Sequence, residues 1–259
     1  MRYAVVALGV ALLALMCSIW AVLALALNLL LPARTGRKVG RQAAMWSFRG
    51  YLSLMETLGA WRLDLRELDA LREAGPLIVA PNHPCLLDAV LVVSRLPNAL
   101  CVMKGALVGN FLLGPAARLA RYVRNDSLIK LVTRAGDELR QGGHLVIFPE
   151  GTRSVGECIG PLTQAVGALS KRCGVPVQAV IIEADSRFLG KGASLLAVPR
   201  LPLSYRVRLG RRFDPPQDVR EFTLELERHF VRELSARGAP VAEPVPGALP
   251  VQGVSRLRG

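Results

Sequence analysis

The chain has 259 residues, enough for one ordinary domain with appendages and a core that needs no disulfide staples. Hydrophobic residues make up 51% and the mean hydropathy is +0.34, high for a soluble protein. The net charge of +13 with a pI near 10.4 suits an anionic membrane surface or phosphate-bearing ligands. With aromatics at 5% and no basic-aromatic interleaving or zinc spacing, it does not suit nucleic acid.

The apolar excess is concentrated at the N-terminus. Residues 4–32 carry no charge, and only Ser18 and Asn28 are distinctly polar. At ~1.5 Å rise per residue this run exceeds a ~30 Å hydrocarbon core. The run continues through Leu29, Leu30 and Leu31, past the Ala24-Leu25-Ala26 that a signal peptidase would read, so an uncleaved anchor over 1–33 is expected. Only Arg2 precedes it, whereas Arg34, Arg37, Lys38, Arg41 and Arg49 follow. That asymmetry puts the body on the cytoplasmic side of a membrane, the inner membrane in a bacterium. A shallow or re-entrant hairpin in one leaflet fits the same residues.

Over 34–61, Ala44, Phe48, Leu52, Met55 and Leu58 recur at helical spacing with Arg49, Ser53 and Glu56 between them. Trp46, Tyr51 and Trp61 suit the headgroup layer, although the helix can equally face the core of the main domain. From 62 to 238, apolar runs alternate with helical patterns, predicting strands at 77–80, 100–103, 145–148 and 177–182 and helices at 86–94, 111–119, 128–140 and 165–173. Residues 201–209 alternate as a half-exposed strand, and Val219, Phe222, Leu226, Phe230 and Leu234 mark a late helix that Gly238 can end. The expected fold is α/β, a mixed sheet flanked by helices. The proline-rich stretch 239–259 reads as a disordered tail. The five cysteines (17, 85, 101, 158 and 173) lack metal-ligand spacing and fit reduced thiols in a cytoplasmic body.

The chemistry is carried by two segments. Asn82-His83-Pro84-Cys85-Leu86-Leu87-Asp88 follows the 77–80 strand, so His83 falls at a strand end, where α/β folds place their sites. Pro84 suits the first turn of a helix, which would set Asp88 about one turn in. From there its carboxylate can orient the imidazole and stabilise the imidazolium, leaving the other nitrogen to take a proton. This is a general base without a nucleophile of its own: no Gly-x-Ser-x-Gly occurs, and Cys85 beside Leu86 and Leu87 reads as a buried neutral thiol. His144 and His229 lack such settings and read as structural or solvent-facing. The second segment is Phe148-Pro149-Glu150-Gly151-Thr152-Arg153-Ser154. Gly151 allows close backbone approach, Arg153 offers a forked donor for phosphate or carboxylate, and Glu150 binds an acceptor hydroxyl or orients the arginine. Taken alone, the same residues also describe an ordinary polar turn.

Together the two segments resemble the first and third signature blocks of the 1-acylglycerol-3-phosphate acyltransferase (lysophospholipid acyltransferase) family, Asn-His-x-x-x-x-Asp and Phe-Pro-Glu-Gly-Thr-Arg-Ser. Lys104 with Leu107 resembles the start of the second block and Val175-Pro176-Val177 the fourth, so the resemblance spans about residues 75–185. It implies His83 as base and Asp88 as its orienting partner. It also implies Glu150, Gly151, Thr152 and Arg153 at the acceptor, helped by Arg121 or Arg124, with Asn82 and Lys104 as donor-side or structural support. The implied reaction takes an acyl group from acyl-CoA or acyl-carrier protein to the free hydroxyl of a membrane lysophospholipid such as 1-acyl-glycerol 3-phosphate, with no metal and no cofactor. The chain departs from the family where the second block would carry Gly-x-Ile-x-x-x-Arg, since 121–127 place Arg121 at the glycine and Ser127 at the arginine. It departs again after the third block, where Leu162-Thr163-Gln164-Ala165 replaces Phe-Lys-x-Gly. Both changes fall on the acceptor side. They keep open an aryl-polyene-type or lyso-ornithine-lipid acceptor, while a thioesterase or a non-enzymatic tether are the readings of a different class.

Overall fold

The computed structural model describes residues 2–125, 128–154, 159–186, 188–192 and 199–235. Its first helix, α1 (Arg2–Leu30), ends where Pro32 cannot continue a helix, and the chain turns directly into α2 (Ala33–Thr57). The two run antiparallel, with the Tyr51 hydroxyl on α2 donating to the carbonyl of Gly9 on α1 at 3.2 Å. One side of α1 is buried at Ala21 and Ala24. The other leaves Leu15, Ile19, Val22, Leu25, Leu29 and Leu30 exposed.

The body is a seven-stranded sheet in the order β1-β7-β6-β2-β5-β3-β4 among the described residues. Its strands are β1 (Trp61–Asp64), β2 (Leu77–Pro81), β3 (Ala99–Met103), β4 (Val123–Arg124), β5 (His144–Val146), β6 (Val177–Ala184) and β7 (Leu203–Phe213). Only β6 and β7 pair antiparallel, so the sheet is mixed. Every residue of central β2 is buried, as a strand covered on both faces requires. Its period of two sends Leu77 and Val79 into one core with Leu52, Met55, Leu91 and Val92, and Ile78 and Ala80 into the other with Leu131, Leu139, Phe222 and Phe230. The first core is covered by α2 and α3 (Asp88–Val93). The second is covered by α6 (Leu128–Arg140), α7 (Ala165–Cys173) and α8 (Val219–Ser235). The short helices α4 (Gly105–Gly109) and α5 (Gly114–Leu119) follow β3.

The differences from the expected elements have local causes. The helix expected from 86 begins at Asp88, because residues 84–87 turn instead. The helix expected over 111–119 is broken before Gly114, and Phe111 stands 83% exposed. The strand expected to reach Phe148 ends at Val146, although the Ile147 N–H still donates to Val79 O at 3.0 Å. Strands β1 and β4, only four and two residues long, carry too little periodicity to be read. Tyr51 and Trp61 pack edge-to-face in the buried core, whereas Trp46 is exposed with Arg49 over its ring. Gly238 and the tail 239–259 lie outside the described residues.

One polar knot joins α2 to the sheet edge. Arg41, 1% exposed, donates to Ala120 O, Asn98 Oδ1 and Glu138 Oε2 at 3.0, 2.8 and 2.7 Å, and Arg37 reaches the same Glu138 oxygen at 3.0 Å. Two of the five cations read as an orientation signal are thus turned onto the body. Gly40 beside them brings α2 against the α5 backbone, where a Cβ would lie 2.8 Å from Ala120 N. Substituting Arg41→Met strands the Asn98 and Ala120 acceptors and half of the Glu138 pairing. We expect a loss of about 3 kcal/mol, read by denaturant unfolding of the detergent-solubilised protein.

Candidate active site

Both motif segments leave the carboxyl ends of neighbouring parallel strands, β2 and β5, so the sheet delivers them side by side. Asn82 makes the last bond of the β2–β6 ladder through its N–H, to Val180 O at 3.3 Å, and its side chain carries the pairing one step further. Its side chain donates to Ile182 O at 3.0 Å and accepts from Ile182 N at 2.7 Å, so Asn82 is a structural support. The chain is thereby fixed immediately before His83.

His83 Nδ1 lies 2.8 Å from Asp88 Oδ2, and its ring stacks on Phe148 with centroids 4.0 Å apart. Nε2 has no hydrogen-bond partner among the described residues. Asp88 is completely buried at the start of α3, reaching back across the 84–87 turn to the imidazole, so the pairing expected from sequence forms through a different local geometry. Burial pushes its carboxyl above the usual range, opposed by hydrogen bonds from His83 and Cys85. Cys85 is buried, and burial followed by the Asp88 charge pushes its thiol well above the ordinary value. Its Sγ donates to Asp88 Oδ1 at 3.0 Å, so it is a neutral donor and not an attacking thiolate.

Glu150 has a different place from the one expected. Its Oε1 accepts from His83 N–H at 3.1 Å and Ser154 Oγ at 2.7 Å, and its Oε2 accepts from Gly160 N–H at 2.9 Å. Both oxygens are used within the protein, which makes Glu150 a clamp between the two segments. The Ser154 N–H returns to His83 O at 2.8 Å. Gly151 turns the chain at φ 65, and this angle rather than crowding calls for glycine, since a Cβ would meet only Thr163 Cγ2 at 3.7 Å. Thr152 is half-buried and makes no hydrogen bond among the described residues. Arg153 Nη1 donates to Leu189 O and Gly190 O at 2.9 and 3.0 Å. Leu189 O also accepts from Leu86 N–H at 3.1 Å, so a buried strap at 188–190 ties Arg153 to the turn after His83. The strap, with Leu189 at φ 61, escapes sequence reading because its role is played by backbone carbonyls. Ser154 and Gly160 escaped as well.

The remaining candidates are dispersed. Lys104 is exposed at the carboxyl end of β3, before α4, and Arg124 is exposed at the end of β4, three strands along from β2. Arg121 precedes β4 and lines a cleft of about 230 Å³ with Asn28, Leu31, Ala33, Gly36 and Leu119, at the α1–α2 elbow. The larger hollow of about 680 Å³ runs along α8 between Asp218 and Arg228 and includes no group named above. His144 and His229 are both buried. His144 has unpartnered ring nitrogens, whereas His229 Nε2 accepts from Arg211 N–H at 3.1 Å. Both therefore read as structural rather than solvent-facing. Among the described residues no group of three or more His, Cys, Asp or Glu is arranged to hold a metal ion.

Residues 62–183 match the family described as Acyltransferase. In three dimensions the chain is similar to the crystal structure of the 1-acyl-sn-glycerophosphate (LPA) acyltransferase PlsC from Thermotoga maritima. The TM-score is 0.67 at 17% identity, over 91% of this chain and 98% of that one. No curated protein matches the chain in sequence.

The raised Asp88 carboxyl has a consequence for stability. With a folded pKa above its unfolded value, its contribution is favourable below the unfolded pKa and is lost as pH rises through the folded one, so at neutral pH the ionised group costs stability. Asp88→Asn removes that charge while its amide oxygen can still accept from Cys85 N–H. We expect an unfolding midpoint at pH 7 no lower than the parent's, with activity down by about 10³- to 10⁴-fold because the imidazole loses its orienting anion.

Proposed function

We propose that this chain, whose residues 62–183 match the Acyltransferase family model and whose fold is similar to that of a 1-acyl-sn-glycerophosphate acyltransferase, carries a fatty acyl group from a thioester donor to the hydroxyl of 1-acyl-glycerol 3-phosphate, giving phosphatidate. The observation that carries this reading is the His83–Asp88 pair, with Nδ1 engaged at 2.8 Å and Nε2 unpartnered among the described residues. The acceptor O–H proton passes to Nε2 as its oxygen attacks the thioester carbonyl carbon. The tetrahedral intermediate collapses, the C–S bond breaks, and the leaving thiolate takes the proton back from the imidazolium, which Asp88 has stabilised meanwhile. A covalent acyl-enzyme has no support at Cys85, whose thiol is committed to Asp88. Acyl-CoA and acyl-carrier protein both present the required thioester.

Arg153 is the cation of the third block that lies next to the turn of His83, and we assign it to the acceptor phosphate. Nη1 is held by two carbonyls, which aims the guanidinium while leaving its other donors for a ligand. The sequence changes at 121–127, together with the placement of Arg121 at the elbow, favour a second reading with the same chemistry on an uncharged or differently charged lipid alcohol. The exposed apolar face of α1 supports a membrane location; the cations Arg34, Lys38 and Arg49 that follow it, against Arg2 before it, favour a body on the cytoplasmic side.

The test uses the full chain in mixed micelles with labelled oleoyl-CoA and a panel of lyso-acceptors. His83→Ala lowers transfer at least about 100-fold; a parental rate overturns the base assignment. Free fatty acid as the sole product assigns water as the acceptor and a thioesterase in place of the transferase. Arg153→Ala raises KM for 1-oleoyl-glycerol 3-phosphate and leaves uncharged acceptors as they were, whereas equal losses on both overturn the phosphate assignment. For the membrane reading, Leu15→Lys with Val22→Lys on the exposed face of α1 releases protein from washed membranes, and retention equal to the parent's removes that face from the interface.

A further inference from the structure

We infer that Cys85 is a positioning residue of this reaction, fixing the Asp88 carboxylate from two sides so that Oδ2 alone meets the imidazole. The inference rests on the reading of His83 as the base. Asp88 accepts three hydrogen bonds, and Cys85 supplies two of them. The Cys85 backbone N–H donates to Oδ2 at 2.8 Å, on the oxygen that also meets His83 Nδ1, while the thiol donates to Oδ1 at 3.0 Å. A carboxylate held only by its histidine can rotate about its Cβ–Cγ bond and exchange oxygens. The thiol occupies the second oxygen and blocks that rotation.

The setting explains why a thiol can do this. Cys85 and Asp88 are both buried, and Leu87 and Leu91 pack into the same core. A sulfur with a weak donor satisfies the second oxygen at little cost in such surroundings. The titratable groups that face Asp88 are His83, Cys85 and, from β7, Tyr205, whose buried hydroxyl lies beside the Cys85 thiol and interacts with it. Burial pushes the thiol and the phenol well above their ordinary values, so both stay protonated through the working range and the thiol remains a donor. A carboxylate deprived of that donor holds the last proton of the His83–Asp88 pair more tightly.

The experiment compares Cys85→Ala, Cys85→Ser, Asp88→Asn and the Asp88→Asn/Cys85→Ala double variant, with His83→Ala alongside. All are assayed as full chains with oleoyl-CoA and 1-oleoyl-glycerol 3-phosphate. Cys85→Ala lowers kcat about tenfold with both KM values unchanged, and its acid limb moves to higher pH. Cys85→Ser, which keeps a hydroxyl donor, restores kcat and the limb. In the double variant the loss stops at that of Asp88→Asn, because both changes act on one interaction. A Cys85→Ala enzyme with the parental kcat and acid limb, or losses that multiply in the double variant, overturns the inference while an inactive His83→Ala leaves the base standing. If Cys85→Ala fails to fold, Cys85→Ser decides: a tenfold loss of kcat at unchanged unfolding midpoint overturns the donor role, and parental kcat and acid limb bear it out. Parental activity in His83→Ala removes the reading on which the inference rests.

Discussion

The Glu150 carboxylate holds the site together. Two segments 67 residues apart leave adjacent strands, and backbone pairing stops before either reaches its chemistry. Glu150 continues the connection by accepting from the His83 N–H, the Ser154 hydroxyl and the Gly160 N–H. Three donors converge on this one buried carboxylate and set where the imidazole stands. Phe148, from the same segment, then covers one face of the ring. His83 is therefore placed by the segment that sequence reasoning had given to the acceptor.

How much could be read beforehand follows from what each residue uses to do its work. His83 and Asp88 meet through side chains of distinctive type at fixed spacing, so the pair was legible even though the turn between them was not. The strands β2, β3, β5, β6 and β7 were legible from their apolar runs or alternation, and the helices α6, α7 and α8 because periodic burial extends over several turns. Glu150 was assigned a ligand because an acidic side chain in a polar turn does not reveal whether backbone donors await it. The 188–190 strap was invisible, since its Leu189 carbonyl serves both Leu86 and Arg153 regardless of the leucine side chain. Likewise Arg37 and Arg41 look like a juxtamembrane charge cluster in one dimension. In three, Glu138 consumes both.

The site inherits its rigidity from unequal sources. On the β6 side, the Asn82 side chain extends the ladder that its own N–H ends, and on the α3 side Asp88 and Cys85 close a compact loop. Ahead of Glu150, Thr163 pins Pro149 O through both its N–H and its hydroxyl, so a residue from a stretch that departs from the family pattern also supports the segment that clamps His83.

The docking of α1 against α5 also bears on how the chain is assembled. Asn28 donates to the carbonyl of Pro115, 87 residues further on, and Gly36 lies against Leu119. During synthesis α1 leaves the ribosome long before these partners exist, with its apolar surface unsatisfied. A bilayer that receives it early would shelter that surface and leave the helix as a template on which the later body closes. The bond from Asn28 to Pro115 can close only after residue 115 has been made, so the joining of the first helix to the body waits on most of the first half of the chain.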